Sequence, residues 1–392
     1  MTESIERKFS DDEKLELLAD LISFRTVNNN EFSVAKYIQN KLAQYKIDSE
    51  ILPVSENRAN IIAELGKGKP IIGISGHMDV VSEIDASKWQ SDPFTMTEKN
   101  GNLYGRGTAD MKSGLAAMII TLIELKQRDL PKNGTIRFMA TVGEEIGGIG
   151  ANKLHKYGYT RDIDALIIGE PSNHEIIYAH KGSMDIRLTS YGEVAHSSIP
   201  ESGFNALNPI ILILAEAKKI FDSVTVSNET LGDLKYNATI LHSGDQVNSI
   251  PDKEFAEMNV RTIPEYSSEK VEKVFQKLVE EQNKQGAKVK MDIYMVEEPV
   301  LKSSRNRLIE LATSEAKRTL GIEYKTTASV GVTDASNLLK DHLNVDFPFI
   351  MFGPGDYRVA HKINEYVNKK EYLCFSNIYS NLLIKYLEPR TD

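Results

Sequence analysis

Four apolar runs in this chain end on glycine, and in three of them a histidine or a carboxylate follows directly. The runs at 71–75, 135–142 and 164–168 pass into Gly76-His77-Met78-Asp79-Val80-Val81, Gly143-Glu144-Glu145-Ile146-Gly147 and Gly169-Glu170-Pro171-Ser172. The run at 347–352 passes into Gly353-Pro354-Gly355, ahead of His361. Short apolar runs bounded by glycine read as buried strands, and the segments at 11–22, 32–45, 113–127 and 369–386 have helical apolar spacing. Strands alternating with helices imply an α/β layer with a central, mainly parallel sheet. In such a sheet functional groups collect at strand ends, which a parallel order brings to one edge.

The pattern changes in the middle of the chain. A long strand-like run at 177–191, a helix at 205–221, strands at 236–242 and 255–263, a helix at 267–284 and a strand at 288–296 follow one another. Two helices among four strands predict an α+β unit of ferredoxin-like order. The reading is therefore a catalytic, metal-binding domain at 1–178 and 298–392, interrupted by an inserted domain at 179–297, and 392 residues suffice for both.

Composition narrows the function. Lys plus Arg number 47 against 56 Asp plus Glu, a net charge of −9, which is the wrong sign for holding nucleic-acid phosphates or anionic lipid. Small charged metabolites and metal cations fit better, and no nucleic acid or membrane partner is expected. Cys374 is the one cysteine, so an internal disulfide and Cys-rich metal sites are excluded, and any metal must be held by His and carboxylates. The N-terminus, Met1-Thr-Glu-Ser-Ile-Glu-Arg-Lys, lacks the apolar core of an export signal. The longest apolar stretch, 114–125, is broken by Thr121 and Glu124 and is shorter than the ~20 residues of a membrane span, so it reads as a buried helix. A cytoplasmic protein is expected.

The strand ends carry the chemistry. A histidine with a carboxylate two residues on, as in His77 and Asp79, suits a metal ligand whose other ring nitrogen is held by an acid; a hydrogen-bonded core histidine is the alternative. The stretch Gly105-Arg106-Gly107-Thr108-Ala109-Asp110-Met111-Lys112-Ser113-Gly114 has the glycines of a phosphate loop. Asp110, however, replaces the third of them, and a carboxylate there attracts a cation, or caps the following helix. Adjacent Glu144 and Glu145 repel each other unless one binds metal and the other works as acid or base; a solvated pair is the alternative. As a set, His77, Asp110, Glu145, Glu170 and His361 suit two divalent metals sharing one bridging carboxylate, with zinc favoured by the N/O donors. Such a pair stabilises both an attacking water and a substrate oxygen.

With these motifs in this order, over nearly the whole chain, the sequence resembles the acetylornithine deacetylase and succinyl-diaminopimelate desuccinylase family of dinuclear zinc hydrolases. Aminoacylases, glutamate-releasing carboxypeptidases and several dipeptidases belong to the same family. The resemblance implies a zinc-peptidase-like catalytic domain and makes the inserted block a lid and dimerisation domain, hence a homodimer. It implies that His77, Asp110 and Glu170 hold one zinc and Asp110, Glu145 and His361 the other, with cobalt or manganese able to substitute. Asp79 would orient His77, Glu144 would be the general base, and Asp110-Met111 would be a cis peptide. His196, in Ala195-His-Ser-Ser-Ile-Pro200, would polarise the scissile carbonyl, often from across a dimer. Asn248 and Arg261 match positions that grip a substrate carboxylate, and Thr333 and Gly355 join them as substrate-binding candidates.

Where relatives acting on succinyl-diaminopimelate or acetylornithine often carry Gly-Thr-Ser-Asp, this chain has Gly331-Val332-Thr333-Asp334-Ala335, which departs at the residue that helps choose the acyl group. His155, His174, His180, His242 and His342 match no ligand motif and read as structural. The expected reaction is hydrolysis of the amide of an N-acyl amino acid. Removal of succinyl from diaminopimelate ranks first, deacetylation of acetylornithine second, and dipeptide or carboxypeptidase cleavage next. A non-catalytic binding protein on the same fold is the competing class.

Overall fold

The computed structural model describes residues 8–329 and 331–389. Residues 1–7, which carry most of the N-terminal segment read above as lacking an export signal, lie outside them. By its contacts the chain forms two compact units. One comprises Met1–Tyr178, Lys302–Thr327 and Thr333–Asp392; the other comprises Ala179–Leu301 and Ala328–Val332.

The sheet of the first unit runs in the order Ser49–Ser55, Arg58–Lys67, Gly134–Thr141, Ile71–His77, Ala165–Pro171, Phe349–Gly353, then Glu175–His180. Its three central pairings are parallel and those on either side are antiparallel. The sheet is therefore mixed, and the mainly parallel expectation describes its four central strands. Ser49–Ser55 joins Arg58–Lys67 through the tight turn Glu56-Asn57, with Asn57 at φ 59°, and a hairpin can only be antiparallel. The first of these strands escapes the sequence reading because Pro53 breaks its apolar alternation. Proline is tolerated there because the strand is an edge and its register slips between Pro53 and Ser55.

The central strands are buried at every residue of Ile71–His77, Gly134–Thr141 and Ala165–Pro171, which explains why they read as unbroken apolar runs. The helix Lys112–Gln127 is buried from Lys112 to Leu125 and packs against the sheet and the helices Asp11–Ser23 and Lys369–Leu387. Buried on all sides, it has no solvent face to show. Each fully buried leucine or isoleucine on it, such as Leu115, Ile119 and Leu122, contributes roughly 1.5–3 kcal/mol. A Cβ on Gly114 would stand 2.0 Å from the Gly169 carbonyl oxygen, so glycine is what lets this helix seat on the strand that carries Glu170.

The second unit holds a four-stranded antiparallel sheet in the order Lys235–His242, Lys253–Arg261, Ser183–Tyr191, Lys288–Glu297. Helices Leu207–Asp222 and Ser268–Lys284 complete the β-α-β-β-α-β order. Burial alternates along Ser183–Tyr191, with Met184, Ile186 and Leu188 inside, and the helices bury Ile210, Ile213, Val271 and Phe275. The strand run read at 177–191 is two strands, broken at Lys181-Gly182. There Gly182 exchanges both backbone hydrogen bonds with Thr262, and a Cβ would lie 2.2 Å from the Thr262 hydroxyl. No helix among the described residues is long and apolar enough to cross a membrane.

Candidate metal centre

In the first unit the parallel register sets His77 beside Thr141 and Ser75 beside Ile168, so three neighbouring strands deliver His77, the Gly143–Glu145 turn and Glu170 to one edge. Asp110 reaches the same place from the turn before the helix Lys112–Gln127, and His361 from the loop after Phe349–Gly353. Asp110 sends one carboxylate oxygen to each histidine: Oδ1 lies 3.0 Å from His77 Nε2 and Oδ2 lies 3.2 Å from His361 Nε2. Glu170 Oε1 stands 3.6 Å from His77 Nε2, and Glu145 Oε2 stands 3.0 Å from His361 Nε2. Ligand atoms of His77, Asp110 and Glu145 all lie within 4.8 Å of one another. The Asp110-Met111 peptide is cis.

Two buried acids brace this cluster. His77 Nδ1 donates to the backbone carbonyl of Asp79 at 2.9 Å, which leaves Nε2 as the nitrogen turned to the carboxylates. The Asp79 carboxylate is 3.7 Å from that ring and is engaged elsewhere. Its oxygens accept the backbone N–H groups of Gly143, Glu144 and Glu145 at 2.8, 3.3 and 3.2 Å. Asp79 thus orients His77 mainly through its main chain and holds the Glu144-Glu145 turn with its side chain. Glu365 does the same for the Asp110 turn, accepting the N–H groups of Gly107, Ala109 and Asp110.

The electrostatics are those of a cation site. Burial pushes the carboxyls of Glu144, Glu145 and Glu170 upward, and neighbouring acids add to it, while His77 pulls each of them back. Burial also works against charge on Asp110, yet hydrogen bonds from His361 and His77 hold its carboxyl below the usual range. Burial opposes protonation of His77 too, but Glu170 and Asp110 raise it well above its ordinary value. Hydrogen bonds to Asp110 and Glu145 lift His361 to about 10. Carboxylates this crowded need positive charge between them, and imidazole nitrogens alternating with carboxylate oxygens are a borderline donor set. The residues therefore fit divalent metals of the zinc type.

The other predicted residues fall as follows. In the second unit His196 pairs with Ser249 across a two-residue bridge, and the Ser197 N–H donates to the Asn248 carbonyl, so His196 and Asn248 are neighbours. The Ser198 N–H points at His196 Nδ1 at 3.2 Å; a backbone N–H can only donate, so the ring carries its proton on Nε2. Arg261 ends the strand Lys253–Arg261 opposite Lys235. In the first unit the Thr333 hydroxyl accepts the Ala335 N–H at 3.3 Å. Gly355, at φ 99°, lies against Ala109 of the Asp110 turn. The remaining histidines stand outside the cluster: His155 faces Asp341, His174 faces Glu371, His342 and His180 bond to backbone carbonyls, and His242 stacks on Phe255.

Sequence reasoning assigns no role to Glu365 or Asp334, both buried beside the cluster. Asp334 Oδ2 accepts the Thr141 hydroxyl at 2.5 Å, while Oδ1 has no hydrogen-bond partner among the described residues. Burial pushes its carboxyl up to about 7 against the pull of Thr141 and His77. The available signal was local: Glu365 follows the distal histidine closely, and Asp334 sits in the stretch that departs from the family pattern.

Residues 73–385 match the peptidase family M20/M25/M40. The chain is 40% identical over 411 residues to a probable succinyl-diaminopimelate desuccinylase of Staphylococcus aureus strain MSSA476, covering 97% of this chain and 99% of the relative. It is 27% identical over 383 residues to a succinyl-diaminopimelate desuccinylase of Rickettsia bellii, covering 94% and 96%. Among solved structures, an M20 family metallo-carboxypeptidase from Sulfolobus solfataricus aligns with a TM-score of 0.80 at 18% identity, covering 96% of this chain and 99% of that one. A dipeptidase from Saccharomyces cerevisiae aligns with a TM-score of 0.76 at 18% identity, covering 97% of each chain. At these identities the structural likeness speaks for the fold. The sequence match over most of the chain and the full-length relative at 40% identity lead to one conclusion: the chain belongs to the M20/M25/M40 family of metal-dependent hydrolases.

Proposed function

We propose that the chain hydrolyses the amide bond of an N-acyl amino acid, with N-succinyl-diaminopimelate as the first candidate substrate. The observation that carries the reading is Asp110 facing His77 with one oxygen and His361 with the other, beside the acidic pair Glu144-Glu145. In this reading His77, Asp110 and Glu170 hold one divalent cation and Asp110, Glu145 and His361 a second, with zinc first and cobalt or manganese as substitutes. When bound, the two cations supply Lewis acidity toward the substrate carbonyl and make water a better nucleophile.

The chain's own residues do the rest. Burial raises the carboxyl of Glu144, which is the direction a general base needs, and in this reading Glu144 takes a proton from the attacking water and returns it to the leaving amine. Asp79 keeps Glu144 in place through the turn's N–H groups. His196, with its proton on Nε2, donates to the carbonyl oxygen as it gains negative charge. Asn248 and Arg261 bind the substrate carboxylate, and Thr333 and Gly355 line the acyl side. The second unit acts as lid and dimerisation domain of a cytoplasmic homodimer. The succinyl preference rests on the names of the full-length relatives.

The test is a substrate panel. Purified protein supplied with zinc, then with cobalt, is assayed on N-succinyl-diaminopimelate, N-acetylornithine and a dipeptide, before and after chelation. Desuccinylation should be fastest, should vanish with the chelator and should return with metal. Preference for another amide would overturn the substrate assignment alone. Tight binding without turnover of any amide would favour the non-catalytic class.

A further inference from the structure

Glu365 is 1% exposed, and its carboxylate grips the turn that presents Asp110. Oε1 accepts the N–H groups of Gly107, Ala109 and Asp110 at 3.1, 2.8 and 3.0 Å. Oε2 pairs with the equally buried Arg106. Arg106 in turn donates to the Ser82 carbonyl at 3.0 Å and lays its guanidinium over the Trp89 ring at 5.2 Å. The main chain repeats the connection: the Gly105 N–H donates to the Glu365 carbonyl at 3.1 Å, and Tyr366–Asn368 pairs antiparallel with Asn102–Tyr104.

His361 and Glu365 belong to one short segment, so this side chain joins the segment bearing His361 to the turn bearing Asp110. Burying another carboxylate close to Asp110 costs free energy. An apolar turn would avoid that cost, and a single hydroxyl would suffice to cap it. What Glu365 provides instead is simultaneous control of three N–H directions on the turn, which orients the Asp110 Cα–Cβ bond toward His77 and His361. We infer that Glu365 is a positioning residue that sets the relation between the bridging carboxylate of Asp110 and His361, and thereby the affinity for the cation held by Asp110, Glu145 and His361. The inference rests on the metal-centre reading above.

The test uses the full-length chain stripped of metal and titrated calorimetrically with zinc, and in parallel with cobalt while its visible absorption is followed. Glu365→Gln keeps the shape and an acceptor oxygen but loses the charge. One of the two binding steps should weaken by roughly 10- to 100-fold, with an altered cobalt spectrum, while the other step changes little. Turnover should fall with KM nearly unchanged. Arg106→Lys, which removes the planar fork but keeps a cation, should weaken the same step by less. His361→Ala, a direct ligand change, serves as the reference and should abolish that step. If His361→Ala titrates like the parent, the metal-centre reading itself fails. If His361→Ala loses the step while Glu365→Gln and Arg106→Lys titrate like the parent, the positioning role is overturned and the metal centre stands. Should Glu365→Gln not fold by circular dichroism, the Arg106→Lys titration decides in the same two directions.

Discussion

Asp79 Oδ1 accepts the backbone N–H of Gly143 at 2.8 Å, from a carboxylate with no solvent exposure. With Glu144 and Glu145 also donating to it, the whole turn that projects the two working acids hangs on this side chain. Asp79→Asn would set an amide NH2 against N–H groups that need an acceptor. The expected outcome is a loss of roughly 1–3 kcal/mol in denaturant unfolding, the cost of leaving buried donors unpaired. Turnover should fall with it. Parent-like stability and turnover together would refute the bracing role.

Glu144 and Glu145 are adjacent but differently engaged. Burial raises both carboxyls, but His361 meets Glu145 at 3.0 Å and pulls it back through a hydrogen bond, whereas the pull on Glu144 comes from the charge of His77. Glu144→Ala should lose roughly 10²- to 10⁴-fold in turnover and keep its metal, as expected when a general base is removed. Glu145→Ala should lose metal as well. Elemental analysis of both variants separates the roles, and equal metal content in the two would contradict the division.

Much of this arrangement was legible in the chain itself, for identifiable reasons. The strand ends could be read because parallel strands covered on both faces are unbroken apolar runs, and His77, Glu145 and Glu170 each follow such a run past a glycine. Glu365 could not be read, because one of its oxygens serves backbone N–H groups of a turn far away in sequence, which leave no residue-type signature, and its ion pair with Arg106 joins positions that only the fold brings together. The strand Ser49–Ser55 was hidden by Pro53, and the break at Gly182 by a contact with Thr262 that exists only in the fold. The way Asp79 acts was half visible. Its spacing to His77 suggested a side-chain contact, but the folded chain uses the main-chain carbonyl for the ring and the carboxylate for the neighbouring turn.

Gly114 faces the backbone immediately before Glu170. A methyl group there would collide with the Gly169 carbonyl, and neither the helix nor the central strand can yield cheaply. Gly114→Ala should therefore destabilise by roughly 1–3 kcal/mol despite its better helix propensity, as overpacking does. Because Glu170 follows directly, metal affinity should fall too. Thermal unfolding and zinc titration check both parts, and a stabilised variant with unchanged affinity would disprove the contact's importance.

His180, fully buried at the end of the strand Glu175–His180, has its ring held neutral by burial, with its pKa lowered from 6.5 to about 4. The unfolded chain therefore binds the proton first as the pH falls. Stability contributed by the neutral ring is intact above about 6.5 and is lost as the pH drops toward 4, amounting to about 3 kcal/mol at the acid end. His180→Gln cannot titrate. The stability difference between parent and variant should shift in the variant's favour between pH 7 and 4.5, measured by denaturant unfolding in one buffer series. A difference that stays constant across that range would exclude the mechanism.

His196 lies in the second unit, whereas Glu144 lies in the first, so the proposed reaction draws on both. His196→Ala should lower turnover by roughly 10²-fold or more, the usual loss of a donor to a developing oxyanion, with metal content unchanged. Ser198→Ala should cause a smaller loss, since the Ser198 hydroxyl lies 2.7 Å from His196 Nδ1 and helps keep the proton on the far nitrogen. If the lid of one chain serves the centre of its partner, mixing Glu144→Ala chains with His196→Ala chains creates heterodimers with one site that has both residues intact. Activity should then return on mixing. Heterodimers shown to form by mass spectrometry that remain inactive would mean that each second unit serves the centre of its own chain.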